Sequence, residues 1–300
     1  MNLFFKTLLL TSSLLFVIAP AQADEITPKT PTNTQVNIKL KGYIFGLRVM
    51  RAEYQTQFSN TEYNAQAELK TSGLGAFLKK FKIWSATEGH FDGTELLPSL
   101  HVQQNMDKKN RRVHMRYNNG VVETHIVPRL GSQGKPPASP QQRFESDDTL
   151  SALLNLMMRG TKTSSEVCTG KIPVFDSKQH YNLRLQKAGT RRIKQKGFKG
   201  ETIRCHVFYE PVSGFDPEDL PSTEEKSAPI IMYLAYFKQA DIYIPVRMTY
   251  KISGLKAVIK AREITITHNI PTPIHTIKEL SNVKNPLRNS ISSTPDLAVE

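Results

Sequence analysis

Alternation of apolar and polar residues dominates the chain and predicts β-strands. The segment from Val36 to Leu40 alternates strictly, and Gly42 to Leu47 continues it with two glycines that permit a bend or bulge. Turn signals such as Asn118-Asn119-Gly120 separate many of the later alternating segments. These further strands are predicted at 49–58, 62–70, 82–91, 99–107, 111–118, 120–127, 180–187, 202–210, 229–237, 243–252 and 255–267.

The succession of these strands indicates the fold class. Strands that follow one another through hairpins, without regularly alternating helices, favour an antiparallel meander. A flat open sheet of about a dozen strands would be exceptional. We therefore predict a mainly β fold, in which a curved antiparallel sheet closes toward a barrel or a β-spiral and one or two short helices pack on its concave side.

One short helix is predicted between the two halves of the strand pattern. Asp147-Asp148 can cap its N-terminus, and Gly160 can end it. Two interpretations stay open: its apolar face packs on the concave side of the sheet, or it forms a plug or gate lined by flexible methionines. The apolar residues at helical spacing are Leu150, Leu153, Leu154 and Met157.

A second helix is predicted over 74–84. One face of it carries apolar residues and the rest carries lysines, a pattern typical of a membrane-surface helix. The pattern also suits a lid over the mouth of a barrel, or ordinary core packing, and all three interpretations stay open. The apolar face holds Leu74, Phe77, Leu78 and Phe81, and the lysines are Lys79, Lys80 and Lys82.

The first 23 residues have the features of a secretory signal peptide. Lys6 is their only charge, an apolar run extends from Leu8 to Ile18, and Ala21-Gln22-Ala23 matches a small-x-small cleavage site. We expect cleavage after Ala23 and a periplasmic location. This divides the chain into a signal peptide at 1–23, one β-rich domain at 24–268 and an extended or disordered tail at 269–300.

Export also bears on the two cysteines. Cys168 and Cys205 both lie in the exported part, where an oxidising compartment favours a disulfide between them. The sequence has no Cys-x-x-Cys motif, and its histidines are not clustered at metal-ligand spacing. We therefore predict a disulfide and no metal site.

Net charge narrows the class of partner. Removing Lys6 from the net charge of +13 leaves +12 for the mature chain. In an exported protein, a basic surface meets an anionic membrane or glycan surface rather than nucleic acid. The densest basic run is either a solvated face or a patch for such an anionic partner, and it contains Arg184, Lys187, Arg191, Arg192, Lys194, Lys196 and Lys199.

Several segments together resemble a known family of exported bacterial proteins, the domain of unknown function 3108 family. These segments are Gly42 to Gly46, Asp148 to Leu154, Cys168 to Asp176, and Cys205 followed by Pro211 to Phe215. The family pattern has Asp-Pro where this chain has Asp148-Thr149, and Thr is tolerated in a first helical turn. The resemblance covers roughly residues 38–268 and implies a curved, largely antiparallel β fold. It implies no activity.

Catalytic motifs are missing from the sequence. It contains no Gly-x-Ser-x-Gly, no phosphate-binding glycine loop and no dinucleotide fingerprint. Helix capping accounts for Asp147-Asp148, and a turn accounts for Asp176. We predict no catalytic residue and no cofactor, and we interpret the chain as a non-enzymatic envelope protein.

Two functional hypotheses follow from this interpretation. In the first, the curved sheet holds a hydrophobic or lipid-like ligand, such as an acyl chain, in an apolar groove. In the second, the core is filled, and a disulfide-stabilised scaffold binds an envelope protein or a glycan. The residues predicted to line the groove or its lid are Phe45, Leu74, Phe77, Phe81, Trp84, Leu153 and Met157.

Overall fold

A computed structural model describes residues 33–268, except for 79, 94, 107–109, 160–166 and 253. The predicted signal peptide and the predicted tail both lie outside the described residues. The strands are β1 (Thr34–Ile44), β2 (Leu47–Phe58), β3 (Glu62–Thr71), β4 (Lys82–Asp92), β5 (Glu95–Asn105), β6 (Arg112–Asn118), β7 (Val121–Val127), β8 (Lys171–Phe175), β9 (His180–Gln195), β10 (Phe198–Ser213), β11 (Ile230–Phe237), β12 (Ile242–Ile252) and β13 (Leu255–His268). The helices are α1 (Gly75–Leu78), α2 (Pro140–Phe144), α3 (Thr149–Met158) and α4 (Thr223–Ser227), and a 3₁₀ turn spans Pro217–Asp219.

All thirteen strands belong to one antiparallel sheet. Its order is β7-β6-β5-β4-β3-β2-β1-β13-β12-β11-β10-β9-β8, so two meanders are joined where the first strand pairs with the last. In that join, Thr34 lies opposite His268 and Ile44 lies opposite Ala257. The predicted mainly β, antiparallel architecture is confirmed.

The sheet curves around helix α3. This helix contacts β3, β4 and β5 in one half of the sheet, and β8 and β12 in the other. Leu154 and Met157 are completely buried and pack among β1, β2, β3, β11, β12 and β13. The predicted helix is therefore confirmed, and it fills the concave side of the sheet.

Pairing between strands does not close the sheet, but another segment bridges its two edges. Helix α2 contacts both edge strands, β7 and β8. Ala138 packs with Met115 of β6 and Phe175 of β8. Asp147 forms a parallel bridge with Val174, since its N–H donates to Pro173 O (3.0 Å) and its carbonyl accepts from Phe175 N–H (2.9 Å). The outer edge of β8 is covered in this way.

The tip of the long β9–β10 hairpin reaches strands β12 and β13. The described pairing between β12 and β13 stops at Arg247 and Lys260. Immediately beyond, Gln195 Nε2 donates to Val246 O (2.8 Å) and to Ala261 O (3.3 Å). The hairpin tip therefore fills the point at which these two strands separate.

The predicted helix over 74–84 is wrong for most of its length. Only α1, a single turn at Gly75–Leu78, is helical, and β4 has begun by Lys82. Phe81 already exchanges bonds with β3: its carbonyl accepts from Thr71 N–H (3.2 Å), and its own N–H donates to Thr71 Oγ1 (3.2 Å). Pairing with β3 thus outweighs the local helical pattern.

Strand β8 was not predicted, and β9 and β10 are longer than predicted. Pro173 interrupts the apolar run of β8, and proline argues against a strand unless that strand lies at an edge.

The described part of the chain contains no helix with the length and apolar character needed to cross a bilayer.

Candidate functional site

A buried carboxylate begins helix α3. Asp148 is completely buried, and its Oδ1 accepts from the backbone N–H groups of Leu150 (2.9 Å) and Ser151 (3.1 Å). It is therefore the N-cap residue, one of the two candidates that the sequence offered.

Side chains from three strands and from α3 surround the same carboxylate. Its Oδ2 accepts from the hydroxyls of Ser151 and Thr87, both at 2.6 Å. Tyr63 of β3 is joined to Ser151 by a hydroxyl–hydroxyl bond of 2.9 Å. His101 Nδ1 lies 2.9 Å from Asp148 Oδ1, a close contact without the alignment of a hydrogen bond. The network ties α3 to β3, β4 and β5.

Burial alone would raise the pKa of Asp148. The contact with His101 and the hydrogen bonds from Ser151 and Thr87 outweigh burial, and the pKa falls to about 2. Asp148 is therefore ionised at neutral pH.

Serine, histidine and aspartate are also the residue types of hydrolytic triads. Here the Ser151 hydroxyl donates to Asp148, and each of the three side chains is at most 3% exposed. Nucleophilic catalysis needs a serine bonded to its base and open to substrate. The arrangement that the structure shows is that of a helix anchor inside the sheet.

The pKa of the neighbouring carboxylate, Asp147, is shifted in the opposite direction. Asp147 Oδ2 accepts from Asn155 Nδ2 at 2.8 Å. Burial, aided by the charge of Asp148, raises the pKa of Asp147 to about 7, although the bond from Asn155 opposes the shift. Asp147 therefore exchanges a proton near neutral pH.

Asp147 and Asn155 lie in the wall of a pocket of about 890 Å³. The pocket is bounded by the end of the β4–β5 hairpin, the α2–α3 corner, the last turn of α3 and the approach to β8. Apolar side chains such as Phe91, Leu97 and Met158 form part of its wall. It is a mixed polar and apolar site.

Arg159 supplies positive charge to this pocket. Its Nε donates to Asn155 Oδ1 (3.0 Å), and its two terminal nitrogens donate to Thr169 O (2.9 Å) and Lys171 O (2.8 Å). Asp147, Asn155 and Arg159 thus form a continuous polar line along one wall.

The sequence carries a signal for this line in the spacing of its polar residues. Asp147, Ser151, Asn155 and Arg159 recur every four residues, so polar groups follow one another along one side of an otherwise apolar helix. Asp148 is the N-cap, so capping does not explain Asp147, Asn155 or Arg159.

The seven residues predicted to line a groove or lid lie in three separate places. Leu153 and Met157 are on α3 and pack in the core. Phe81 and Trp84 are partly buried at the start of β4. Phe45 and Leu74 are exposed on connections at the end of the sheet. Phe77 belongs to α1, and its side chain is not among those that the structure describes.

The predicted basic patch lies on the β9–β10 hairpin. Arg184 Nε donates to Glu210 Oε1 (2.5 Å) and its guanidinium lies over the ring of Phe208, while Arg192 contacts Glu201 at 3.3 Å. The other members are exposed, and no described acidic residue forms an ion pair with them: Lys187, Arg191, Lys194, Lys196 and Lys199.

The cysteines form a disulfide in the core. Cys168 and Cys205 are bonded, with Cα atoms 5.6 Å apart, and pack against Ala152 and Leu156 of α3. Within the described ranges, no group of three or more His, Cys, Asp or Glu residues could hold a metal ion.

Comparison with known proteins places the chain in a family. None of the curated proteins matches it at a significant level. A solved structure of a β-barrel-like protein of domain of unknown function DUF1849 from Brucella abortus is similar, with 13% sequence identity, a TM-score of 0.48, and coverage of 79% of this chain and 98% of that one. The model of the family described as protein of unknown function (DUF3108) matches residues 35–259. The chain belongs to the DUF3108 family.

Proposed function

We propose that this protein is a non-enzymatic binding protein of the cell envelope that holds an amphiphilic, lipid-like ligand in the pocket beside α3. The observation that carries the proposal is the pocket of about 890 Å³, whose lining combines apolar side chains with a few polar and charged ones. Sites for small ligands have volumes of this order, and combine apolar walls with a few polar groups that orient the ligand.

The position of this pocket refines the groove hypothesis. The concave side of the sheet is filled by α3, where Leu154 and Met157 are completely buried. A ligand would therefore sit between the end of α3 and the β4–β5 hairpin. Its apolar part would contact Phe91, Leu97 and Met158.

The polar lining favours a hydrogen-bonding head group, and an anionic one beside Arg159, because Glu95 and Glu145 also line the pocket. Arg159 supplies a positive charge, and a carboxylate or phosphate gains most from a charged donor. Asp147 has a pKa of about 7, so its protonated form can donate to the ligand and its ionised form repels an anion. Ligand affinity is therefore expected to fall as pH rises through neutrality.

Two features favour an envelope location. Residues 1–23 have the charge and apolar pattern of a cleaved signal peptide. A core disulfide between Cys168 and Cys205 suits an oxidising compartment.

The test is native mass spectrometry of the mature protein purified from the periplasm, followed by lipid extraction. We expect a stoichiometric excess mass that extraction removes. Leu97→Trp and Met158→Trp place bulk in the pocket and should abolish that excess mass. Val121→Trp is the matched control, since Val121 is an exposed apolar residue on the β6–β7 hairpin, outside the pocket wall.

The scaffold hypothesis remains the second candidate, and the filled interior around α3 favours it. It predicts a ligand-free mass for the native protein, and no uptake of added fatty acid or phospholipid by the wild type. That result would contradict the ligand proposal.

A further inference from the structure

Four apolar side chains are exposed together at one end of the sheet. They are Phe45 (76% exposed), Leu47 (52%), Leu74 (49%) and Leu255 (41%). Ile44 lies opposite both Leu47 and Ala257 in the sheet, which brings the β1–β2 turn beside the start of β13. Leu74 N–H donates to Arg48 O (3.1 Å), which adds the β3–β4 connection. We refer to these four residues and their basic neighbours as the tip surface.

Basic residues border this apolar group. None of them forms an ion pair with an acidic residue in the described part of the chain, whereas Lys70 and Lys82 are paired with Glu68. The sequence has no Asp or Glu in 44–52, 69–87 or 242–262. The exposed basic neighbours are Arg48, Arg51, Lys80, Lys251 and Lys256.

The positive φ of Phe45 is unfavourable for an aromatic residue, which indicates that its side chain has a role other than stabilising the fold. Phe45 and Gly46 form a two-residue hairpin loop with φ of 50° and 80°. Loops with two positive φ values strongly favour Asn-Gly, and the β6–β7 loop of this chain has Asn119-Gly120 at 48° and 81°. An aromatic residue in this conformation is strained, and here its ring is mostly exposed.

We propose that the tip surface docks this protein on a bilayer that contains anionic phospholipid. The four apolar side chains enter the headgroup region, and the bordering lysines and arginines meet the lipid phosphates. Charge complementarity selects this occupant: apolar residues bordered by one sign of charge fit an anionic interface better than the mixed surface of a protein.

This docking is separate from ligand binding. Strand β4 begins at Lys82 beside the β3–β4 connection and reaches the pocket at Phe91. Nine residues of extended strand span roughly 30 Å. The tip surface and the pocket therefore lie at different ends of β4, so either proposal can fail without the other.

The experiment is co-sedimentation of the mature protein with vesicles of phosphatidylcholine, with and without phosphatidylglycerol. We expect binding that requires phosphatidylglycerol and weakens as salt is added. Phe45→Asn should weaken binding about tenfold, since an inserted aromatic side chain is lost. The melting temperature should not fall, because Asn suits a positive φ.

Two matched controls test whether vesicle binding depends on the tip surface. Val121→Asn changes another exposed apolar residue (50% exposed, against 76% for Phe45) beside the two-residue loop of the β6–β7 hairpin, and it should leave binding unchanged. Arg48→Glu with Lys256→Glu should abolish binding, while Lys194→Glu with Lys196→Glu, the same charge change on the β9–β10 hairpin, should retain most of it. Leu255→Gln provides a second apolar variant in case Phe45→Asn lowers the melting temperature.

Three results would overturn the proposal. The first is no binding to vesicles that contain phosphatidylglycerol. The second is binding lost in the Lys194/Lys196 variant and kept in the Arg48/Lys256 variant. The third is a wild-type dimer, without vesicle binding, that Phe45→Asn converts to a monomer, since the tip surface would then be an interface between two copies of this chain.

Discussion

Two adjacent buried carboxylates acquire opposite pKa shifts from their partners. Asp147 and Asp148 are both buried, yet the pKa of Asp147 rises to about 7 and that of Asp148 falls to about 2. Asp148 accepts hydrogen bonds from the helix backbone and from two hydroxyls and lies against His101, and these contacts offset the cost of burying its charge. Asp147 accepts a side-chain bond from Asn155, which does not offset that cost.

These opposite shifts predict a specific pH dependence of stability. The folded state binds a proton at Asp147 that the unfolded state releases above pH 3.8, so stability falls as pH rises from 3.8 to about 7. Asp147→Asn removes this loss and keeps an acceptor for Asn155. The variant should match the wild type near pH 3.8 and exceed its free energy of unfolding above pH 7 by roughly 2–4 kcal/mol.

Urea unfolding at several pH values measures this difference. Asp219→Asn, an exposed carboxylate, is the control and should run parallel to the wild type. Asp148 contributes in the opposite direction, since its stabilisation is present above pH 3.8 and is lost toward pH 2. Parallel curves for Asp147→Asn and the wild type would show that Asp147 is ionised normally in the folded protein.

At the residue scale, the sequence predicts the local role of Asp148 but not the distant residues that contact its carboxylate. The position of Asp148 before an apolar helical repeat correctly predicts an N-cap. Thr87, His101 and Tyr63 come from three different strands, and nothing in a local pattern assigns them to one carboxylate. The different role of Asp147 depends on its bridge to β8, a strand that the pattern did not predict.

At the scale of elements, the β9–β10 hairpin departs furthest from the sequence prediction. The pattern predicts strands at 180–187 and 202–210, whereas pairing runs without a long loop from His180–Gln195 into Phe198–Ser213. Lysines and arginines dominate the outer half of this hairpin and obscure its alternation. Ile193 and Phe198 still pack on the core cluster that contains Leu154 and Met157 of α3.

The hairpin tip predicts a contrast between two glycines. Gly197 has a φ of 95°, and a Cβ added there would lie 2.5 Å from the backbone carbonyl of Arg262. Gly189 has a φ of 89° but open space around it. Gly189→Ala should cost roughly 1 kcal/mol for the positive φ, and Gly197→Ala should cost roughly a further 1–3 kcal/mol for the clash.

Chemical denaturation of the two variants measures this contrast. Both substitutions add the same methyl group at a similar φ. The difference between their losses in free energy of unfolding therefore measures the contact of the hairpin tip with β13. Equal costs would mean that the tip does not press against Arg262.

At the scale of the whole molecule, the disulfide joins the edge of the sheet to its interior. Cys168 precedes the edge strand β8, and Cys205 is a buried residue of β10. Both pack against α3, so the bond holds β8, β10 and the helix together.

Removing the disulfide should lower the stability of the whole fold. The bond closes a separation of 37 residues, and chain entropy predicts a loss of about 3.5–4 kcal/mol for the Cys168→Ala/Cys205→Ala variant. Thermal unfolding with and without reductant measures the effect. Reductant should lower the melting temperature of the wild type toward that of the variant and leave the variant unchanged; a variant as stable as the wild type would contradict this account.

The curvature of the sheet follows from the sequence, but its strand order does not. Many short strands with hairpin signals correctly predict an antiparallel sheet that curls. The pairing of β1 with β13 joins residues more than 200 positions apart, and its register depends on side chains that meet only in the folded state.

That pairing of first and last strands has a consequence for the timing of folding. Each meander is built from hairpins of local contacts, and the two meanders pair directly through β1 and β13, while α2 and α3 contact strands of both. When only the first meander has folded, β1 is paired with β2 on one side, and its other edge stays unpaired until β13 pairs with it. Completion of the sheet is therefore expected only once residues up to 268 can pair, and until then the unpaired edge of β1 is open to pairing with another chain.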